Sequence, residues 1–424
     1  MSLKYSEFID LNYVPSKTDI IATFYVKPAP GISIEDAAAR VASESSVGTW
    51  TELRFVPSRV NRIKARVFEI DKEKRIVKIA YPIELFELDS DAPPNIPQFL
   101  SSVAGNIFGM KAIEGLKLLD IHLPKEFVKH FPGPQFGISG VRKIMKVEKR
   151  PITATVPKPK VGFSAEEFAK VAYELWIGGI DLCKDDENLT NLSFNKFKDR
   201  VLLLMKMREK VEEGTGERKS ALINITAETR EMLKRAKFIA DNGGEFVMID
   251  IITVGWAALQ TVRYEFEDLK LAIHAHRAMH AAFTRNREHG ISMLVVTKLS
   301  RLIGVDHLHS GTAGIGKMES EEKEVLAICD ALRNKWFHIK RTFPVASGGL
   351  HPGILPNVMK IMGTDIIVQV GGGVFGHPSG IRAGAEAVRA AIDAFLENVS
   401  LEEKARESKA LFEALQKWGA KKPL

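Results

Sequence analysis

Cysteine is almost missing from this chain, with only Cys183 and Cys329 among 424 residues. That excludes a disulfide framework or a zinc cluster and makes a reducing cytosol the expected compartment. No apolar run approaches the ~20 residues that span a bilayer. The opening Met1-Ser2-Leu3-Lys4-Tyr5 lacks the apolar core of a signal peptide. A cytoplasmic protein with no membrane partner is therefore expected. Long basic tracts are absent too. A net charge of +7 and a pI near 9.1 permit nucleic-acid binding, but the bases are scattered among acids. The densest groups, 142–150 and Lys421-Lys422, are short, so no nucleic acid is expected as a main partner. A site that handles phosphorylated anions explains the excess equally well. Few glutamines beside frequent Lys and Glu suggest a thermophile.

The length suggests two domains. Residues 1–133 read as a smaller N-terminal α+β (ferredoxin-like) domain. Strand 19–26 precedes helix 33–43, a hairpin of 62–70 and 75–81, a helix at 95–107 and a last strand at 116–122. Phe131-Pro132-Gly133-Pro134 marks the boundary, and the stretch up to Arg150 reads as linker. In the second domain, 134–424, short apolar runs recur at 152–156, 179–183, 221–225, 246–252, 271–274, 306–309, 343–346 and 366–370. Each is followed by an amphipathic helical stretch, which points to an α/β fold, a (β/α)8 TIM barrel. A doubly wound open sheet is the alternative, but no Gly-x-Gly-x-x-Gly follows the first strand. The tail at 401–419 reads as a helix that packs.

In such a barrel the residues just past each strand line the mouth where chemistry occurs. The most informative run is Gly179-Ile180-Asp181-Leu182-Cys183-Lys184-Asp185-Asp186-Glu187-Asn188. Strand alternation points Lys184 and Asp186 the same way, with Glu187 following at the strand end. Asp186 and Glu187 are hard oxygen ligands suited to Mg²⁺. A solvated salt-bridge cluster is the competing reading. Lys184 has no place among metal ligands unless its charge is removed. Lys158-Pro159-Lys160 would depress its pKa by crowding cations, and a neutral amine can add CO₂ to give an anionic carbamate. His274-Ala275-His276 has spacing a metal hydrolase uses, although a buried, hydrogen-bonded histidine accounts for either ring alone. Arg277 suits a phosphate. Ser347-Gly348-Gly349 and Gly371-Gly372-Gly373 follow strands seven and eight, the usual phosphate cradle of a barrel. Lys317 sits on a glycine-flanked loop able to close over a substrate.

Together, Lys158-Pro159-Lys160, the Lys184-Asp185-Asp186-Glu187-Asn188 run, His276-Arg277-Ala278-Met279-His280, His309-Ser310-Gly311-Thr312, and the two glycine motifs resemble the ribulose-bisphosphate carboxylase (RuBisCO) large subunit. So do Glu44-Ser45-Ser46-Val47-Gly48-Thr49-Trp50 and Ala104-Gly105-Asn106-Ile107-Phe108-Gly109 in the first domain. The short length and Val156-Pro157 look most like the archaeal form III branch. The resemblance implies a carbamylated Lys184 that holds Mg²⁺ with Asp186 and Glu187 and takes the C3 proton of ribulose 1,5-bisphosphate. CO₂ would add to the resulting enediolate and two 3-phosphoglycerates would leave, with O₂ as a competing substrate. Lys158 would protonate the last carbanion with support from Lys160. His276 would assist proton transfers, with His280 nearby. Arg277, His309 and Ser347 would bind one phosphate and its hydroxyls. Gly348, Gly349, Gly371 and Gly372, with Thr49 and Trp50, would bind the other, and Lys317 would close over the new carboxylate.

In this family Glu44, Thr49, Trp50 and Asn106 serve the neighbouring subunit's barrel, which implies a homodimer within a larger homo-oligomer and no small subunit. Nucleotide salvage from AMP is the implied pathway. Two departures stand out: Val156 where plant-type members carry Thr, and Met318-Glu319-Ser320 after Lys317. The rival reading is a RuBisCO-like enolase or isomerase acting on a phosphorylated ketose.

Overall fold

The computed structural model describes residues 4–51, 55–88, 95–316 and 321–419. The chain divides into two compact units. The first comprises Met1–Pro132 and Met279–Leu302. Its strands are β1 (Ile20–Pro28), β2 (Arg66–Asp71), β3 (Ile76–Tyr81) and β4 (Ile113–His122), joined by the two-residue β10 (Gly290–Ile291). Along β1 every second residue, Ile20, Ala22, Phe24 and Val26, is buried, as a strand with one covered face requires. The sheet order is β10-β4-β1-β3-β2. Its β4-β1-β3-β2 core, with helix Ile34–Glu44 after β1 and helix Ile96–Val103 after β3, is the ferredoxin-like split βαβ arrangement.

The expected helix to residue 107 ends at Val103, because Gly105 crosses the Ser101 carbonyl so closely that a Cβ would lie 2.0 Å from its oxygen. Segment 279–302, read from the sequence as part of the barrel, belongs here instead. Gly290–Ile291 pairs in parallel with Lys117–Leu118 of β4 and so extends this sheet.

The second unit, Gly133–Ala278 with Ile303–Leu424, is a closed parallel barrel. Its strands are β5 (Ile152–Thr155), β6 (Leu182–Lys184), β7 (Ser220–Asn224), β8 (Phe246–Asp250), β9 (Ala272–His276), β11 (His307–His309), β12 (Phe343–Ser347) and β13 (Ile367–Gln369). Each overlaps one of the eight apolar runs. The largest shifts are at three strands: β6 starts late, at Leu182, β9 runs on to His276, and β8 stops at Asp250 because Ile251–Val254 turns helical.

The stretch read as linker is not one. Residues Gly137–Met145 form a helix whose Ile138, Val141 and Met145 join Leu182, Leu222, Phe246, Phe343 and Ile367 in one buried cluster. The helix therefore packs on the barrel interior, and spacing of three and four between its apolar residues was the available signal. Its start is pinned by Asp306, whose Oδ1 accepts from the Phe136 and Gly137 amides at 2.9 and 2.7 Å. The expected tail helix is two helices, Leu401–Lys404 and Lys409–Trp418. Among the described residues no helix is long and apolar enough to cross a membrane.

Candidate active site

Every barrel strand ends on a polar residue: Thr155, Lys184, Asn224, Asp250, His276, His309, Ser347 and Gln369. Because the strands are parallel and the barrel is closed, these ends share one rim. Apolar strand interiors fill the core beneath it, so the rim is where polar side chains meet.

Lys184 is fully buried, and its Nζ donates to the Asp185 carbonyl at 2.8 Å. The strand stops there, yet alternation carries on for two residues. Asp185 turns away into the protein, while Asp186 lies 3.3 Å from Lys158 Nζ. Lys160 Nζ lies 3.1 Å from Glu187 and 3.9 Å from Asp186. An ammonium thus sits between two carboxylates, the position a divalent cation suits, and the donor set of hard oxygens fits Mg²⁺. Among the described residues no three His, Cys, Asp or Glu side chains gather to hold a metal.

Burial lowers the Lys184 pKa, against the pull of Glu187, Asp250, Asp186 and Asp185. Crowding by Lys158 and Lys160, the cause expected from sequence, is not what lowers it. Lys160 itself is shifted upward by its bond to Glu187 and by Asp186. Burial would raise the Glu187 carboxyl, but its backbone amide, His276, Lys160 and Lys184 outweigh this and bring it down to about 2.

His276 Nδ1 lies 2.8 Å from Asp250 Oδ1, and its Nε2 faces Glu187 at 3.8 Å. Among the described residues its partner His274 is bonded to histidines and to no carboxylate. His274 Nε2 meets His309 Nε2 at 2.9 Å instead, so the hydrolase-like reading of His274/His276 fails. Arg277 is partly buried, and burial lowers it to about 10. His309 Nδ1 lies 2.7 Å from Ser347 Oγ. Gly348 and Gly349 follow with φ of 111° and 75°, values that favour glycine. Gly371 stands beside Lys158, since a Cβ there would lie 3.3 Å from Lys158 Cε, and Gly372 opens a short helix with free space around it.

The barrel rim thus gathers Lys158, Lys160, Lys184, Asp186, Glu187, His276, His309, Ser347 and Gly371. The first unit contains further described candidates. There Glu44 accepts from the Tyr5 hydroxyl at 3.4 Å, Trp50 is 82% exposed beside Thr49, and Asn106 opens the turn Asn106–Gly109. His280 is in the same unit, its Nδ1 2.9 Å from Thr284 Oγ1. Lys317, and with it Met318-Glu319-Ser320, lies outside the described residues.

The buried histidines have a consequence for stability. Burial holds His274 and His309 well below the usual imidazole range and His307 at about 3. An unfolded histidine takes a proton near pH 6.5, whereas these stay neutral in the fold. Stability is therefore full above that pH and lost as the pH falls through it. Three such rings predict a loss of about 4 kcal/mol per pH unit below pH 6. Urea midpoints at pH 7.5, 6.0 and 5.0 measure this, and a flat profile would contradict it.

Two family models cover the chain. The ribulose bisphosphate carboxylase large chain catalytic domain matches residues 137–418, and the N-terminal domain of the same chain matches 7–127. A ribulose bisphosphate carboxylase of Pyrococcus furiosus is 56% identical over 421 residues, 99% of each chain. One from Archaeoglobus fulgidus is 50% identical over 440 residues, again 99% of each. Among solved structures, the octameric enzyme of Pyrococcus horikoshii aligns with a TM-score of 0.95 at 53% identity, covering 100% of this chain and 99% of that one. A dimeric archaeal Rubisco from Hyperthermus butylicus aligns with a TM-score of 0.93 at 51% identity, covering 98% and 100%. The chain belongs to the ribulose bisphosphate carboxylase large-chain family.

In this family member the structure adds residues that the sequence reading missed. Asp250 orients His276. Arg200, fully buried, donates twice to Asp185, from Nε at 3.2 Å and Nη2 at 3.0 Å. Asn224 donates its amide N–H to Asp185 at 2.9 Å and its side chain to the Asp186 and Glu187 carbonyls at 3.3 and 3.1 Å. Asp250 and Asn224 were findable as polar ends of apolar strands. Arg200 carried no local signal.

Proposed function

We propose that this chain is a Mg²⁺-dependent ribulose-1,5-bisphosphate carboxylase that joins CO₂ and water to its substrate to give two 3-phosphoglycerates. The observation that carries the reading is the buried, pKa-lowered Lys184 on the same rim as Asp186 and Glu187. A neutral amine there is suited to add CO₂, and as a carbamate Lys184 would complete an oxygen donor set with Asp186 and Glu187. Bound Mg²⁺ would supply a Lewis acid for the enediolate formed from the substrate.

Lys184 in its carbamate form would take the C3 proton. His276, its tautomer held by Asp250, would move protons at the neighbouring oxygens. Lys158, 3.3 Å from Asp186, would protonate the carbanion left by C–C cleavage, with Lys160 supporting it. Arg277, His309 and Ser347 would hold one phosphate and adjacent hydroxyls. Gly348, Gly349, Gly371 and Gly372 would cradle the other through bare backbone amides. Glu44, Thr49, Trp50 and Asn106 would act on a second subunit's rim in a homodimer, assembled further as in the octameric relative, and Lys317 would close the lid. Nucleotide salvage is the pathway we associate with it.

The test is incorporation of labelled CO₂ into acid-stable product from ribulose 1,5-bisphosphate after preincubation with bicarbonate and Mg²⁺. Product is expected. Exchange of the C3 proton without carbon uptake would overturn the carboxylase in favour of an enolase or isomerase. A further expected result concerns Asp250→Asn. The amide presents the wrong group to His276 Nδ1, so kcat falls by about 100-fold while KM changes little. Steady-state kinetics with an unchanged kcat would remove His276 from proton transfer.

A further inference from the structure

Three histidines in the barrel form a chain of which the proposed steps use only the outer end, His309 with Ser347. His307 Nδ1 lies 3.3 Å from His274 Nδ1, His274 Nε2 lies 2.9 Å from His309 Nε2, and His309 Nδ1 lies 2.7 Å from Ser347 Oγ. All three rings are buried. The chain runs from the barrel interior to the rim. At its inner end the His307 ring packs against Phe246 and Phe343, at 5.5 and 6.0 Å between ring centres, and its Nε2 has no hydrogen-bond partner among the described residues.

Burial keeps the rings neutral. A neutral imidazole has one N–H and one bare nitrogen, so each ring donates in a single direction. One choice then propagates through the chain. In the first arrangement His307 Nδ1–H donates to His274, His274 Nε2–H to His309, and His309 Nδ1–H to Ser347 Oγ. The buried end is then a bare nitrogen. In the second every donor reverses, and the buried end is an N–H facing no acceptor. Orphaned buried N–H groups are the rarer of the two and forfeit a full hydrogen bond.

We propose that His307 and His274 are positioning residues that fix His309 as its Nδ1–H tautomer and so turn the Ser347 hydroxyl proton outward, toward an anionic oxygen of the substrate. With the chain reversed, Ser347 would give its proton to His309 and meet the substrate only as an acceptor, which suits an anion poorly. The anionic substrate rests on the carboxylase reading above; the tautomer assignment does not.

The direct test is ¹⁵N spectroscopy of the full chain carrying labelled histidine, with resonances assigned by their loss in His307→Phe and His274→Phe. Protonated nitrogens are expected at His307 Nδ1, His274 Nε2 and His309 Nδ1. A bare Nδ1 on His309 overturns the proposal. Kinetics give a second measure that packing alone would not mimic. His307→Phe keeps an apolar ring but loses the donor, whereas His307→Asn keeps a donor near Nδ1 and leaves space unfilled. The Phe variant is expected to raise KM for ribulose bisphosphate about tenfold with kcat nearly unchanged, and Asn to restore most of it. A purely packing role reverses that order, because Phe fills the aromatic pocket better than Asn; the reversed order, or an unchanged KM in the Phe variant, also overturns it. If the wild-type protein fixes no CO₂, the carboxylase reading fails while the ¹⁵N pattern still decides the relay.

Discussion

Lys184→Ala is expected to abolish carbon fixation, with a fall of about 10⁴-fold or more, because the proposed carbamate would serve as both metal ligand and general base. The side chain is fully buried, and its only hydrogen bond among those described here is to the Asp185 carbonyl. Alanine leaves Asp186 and Glu187 in place, so two oxygen donors remain and Mg²⁺ binding weakens rather than vanishes. Two measurements separate these effects: labelled-CO₂ fixation, and Mg²⁺-dependent binding of a bisphosphate transition-state analogue, weakened about 100-fold. Melting curves supply the control for folding. Wild-type turnover in this variant would mean that the metal site has been put in the wrong place.

Arg200→Met is the largest expected loss of stability. Arg200 and Asp185 are an ion pair with side-chain exposures of 0% and 1%, and Arg200 also donates to Asn195 Oδ1 and the Thr190 carbonyl, each at 2.8 Å. Removing the guanidinium leaves a carboxylate in the interior with the Asn224 amide as its main remaining donor. Breaking such a pair from one side costs about 3–5 kcal/mol.

The pH response identifies the cause. Burial already pushes the Asp185 carboxyl upward, and Arg200 and Asn224 oppose it. Without Arg200 the native state takes up a proton more readily than the unfolded chain, so the variant's deficit shrinks as the pH falls. Adding Asp185→Asn to Arg200→Met should recover part of the loss, since no buried charge is then left alone. Urea denaturation at pH 8 and pH 6 reads both effects. A deficit independent of pH and of Asp185 would point to packing instead. Activity should fall as well, because Asp185 lies between Lys184 and Asp186 and sets the course of that loop.

Much of this was legible because the signals are local. Eight short apolar runs specified eight parallel strands, and the polar residue ending each run marked the rim. Boundaries slipped where two periodicities competed. Gly179 to Asp181 is apolar enough to read as strand, yet a φ of 99° at Gly179 delays β6 to Leu182. Helix Gly137–Met145 hid behind a Pro-Gly-Pro turn and a basic run, although Ile138, Val141 and Met145 already showed helical spacing. Segment 279–302 was misassigned because two residues pairing with a distant strand leave no mark in the chain.

By itself, then, the sequence determined the two architectures, the family, and which residue types stand at the barrel rim, since alternation, apolar run length and motif order are properties of neighbouring residues. Only the tertiary structure decided what each of those residues touches. The contacts that join His274 to His307 and to His309, and His309 to Ser347, link residues 33, 35 and 38 positions apart. Asp185 finds Arg200 on the following helix. Closing the barrel sets such partners side by side and removes the water that would otherwise satisfy them, which is also why the Lys184 amine is driven toward neutrality.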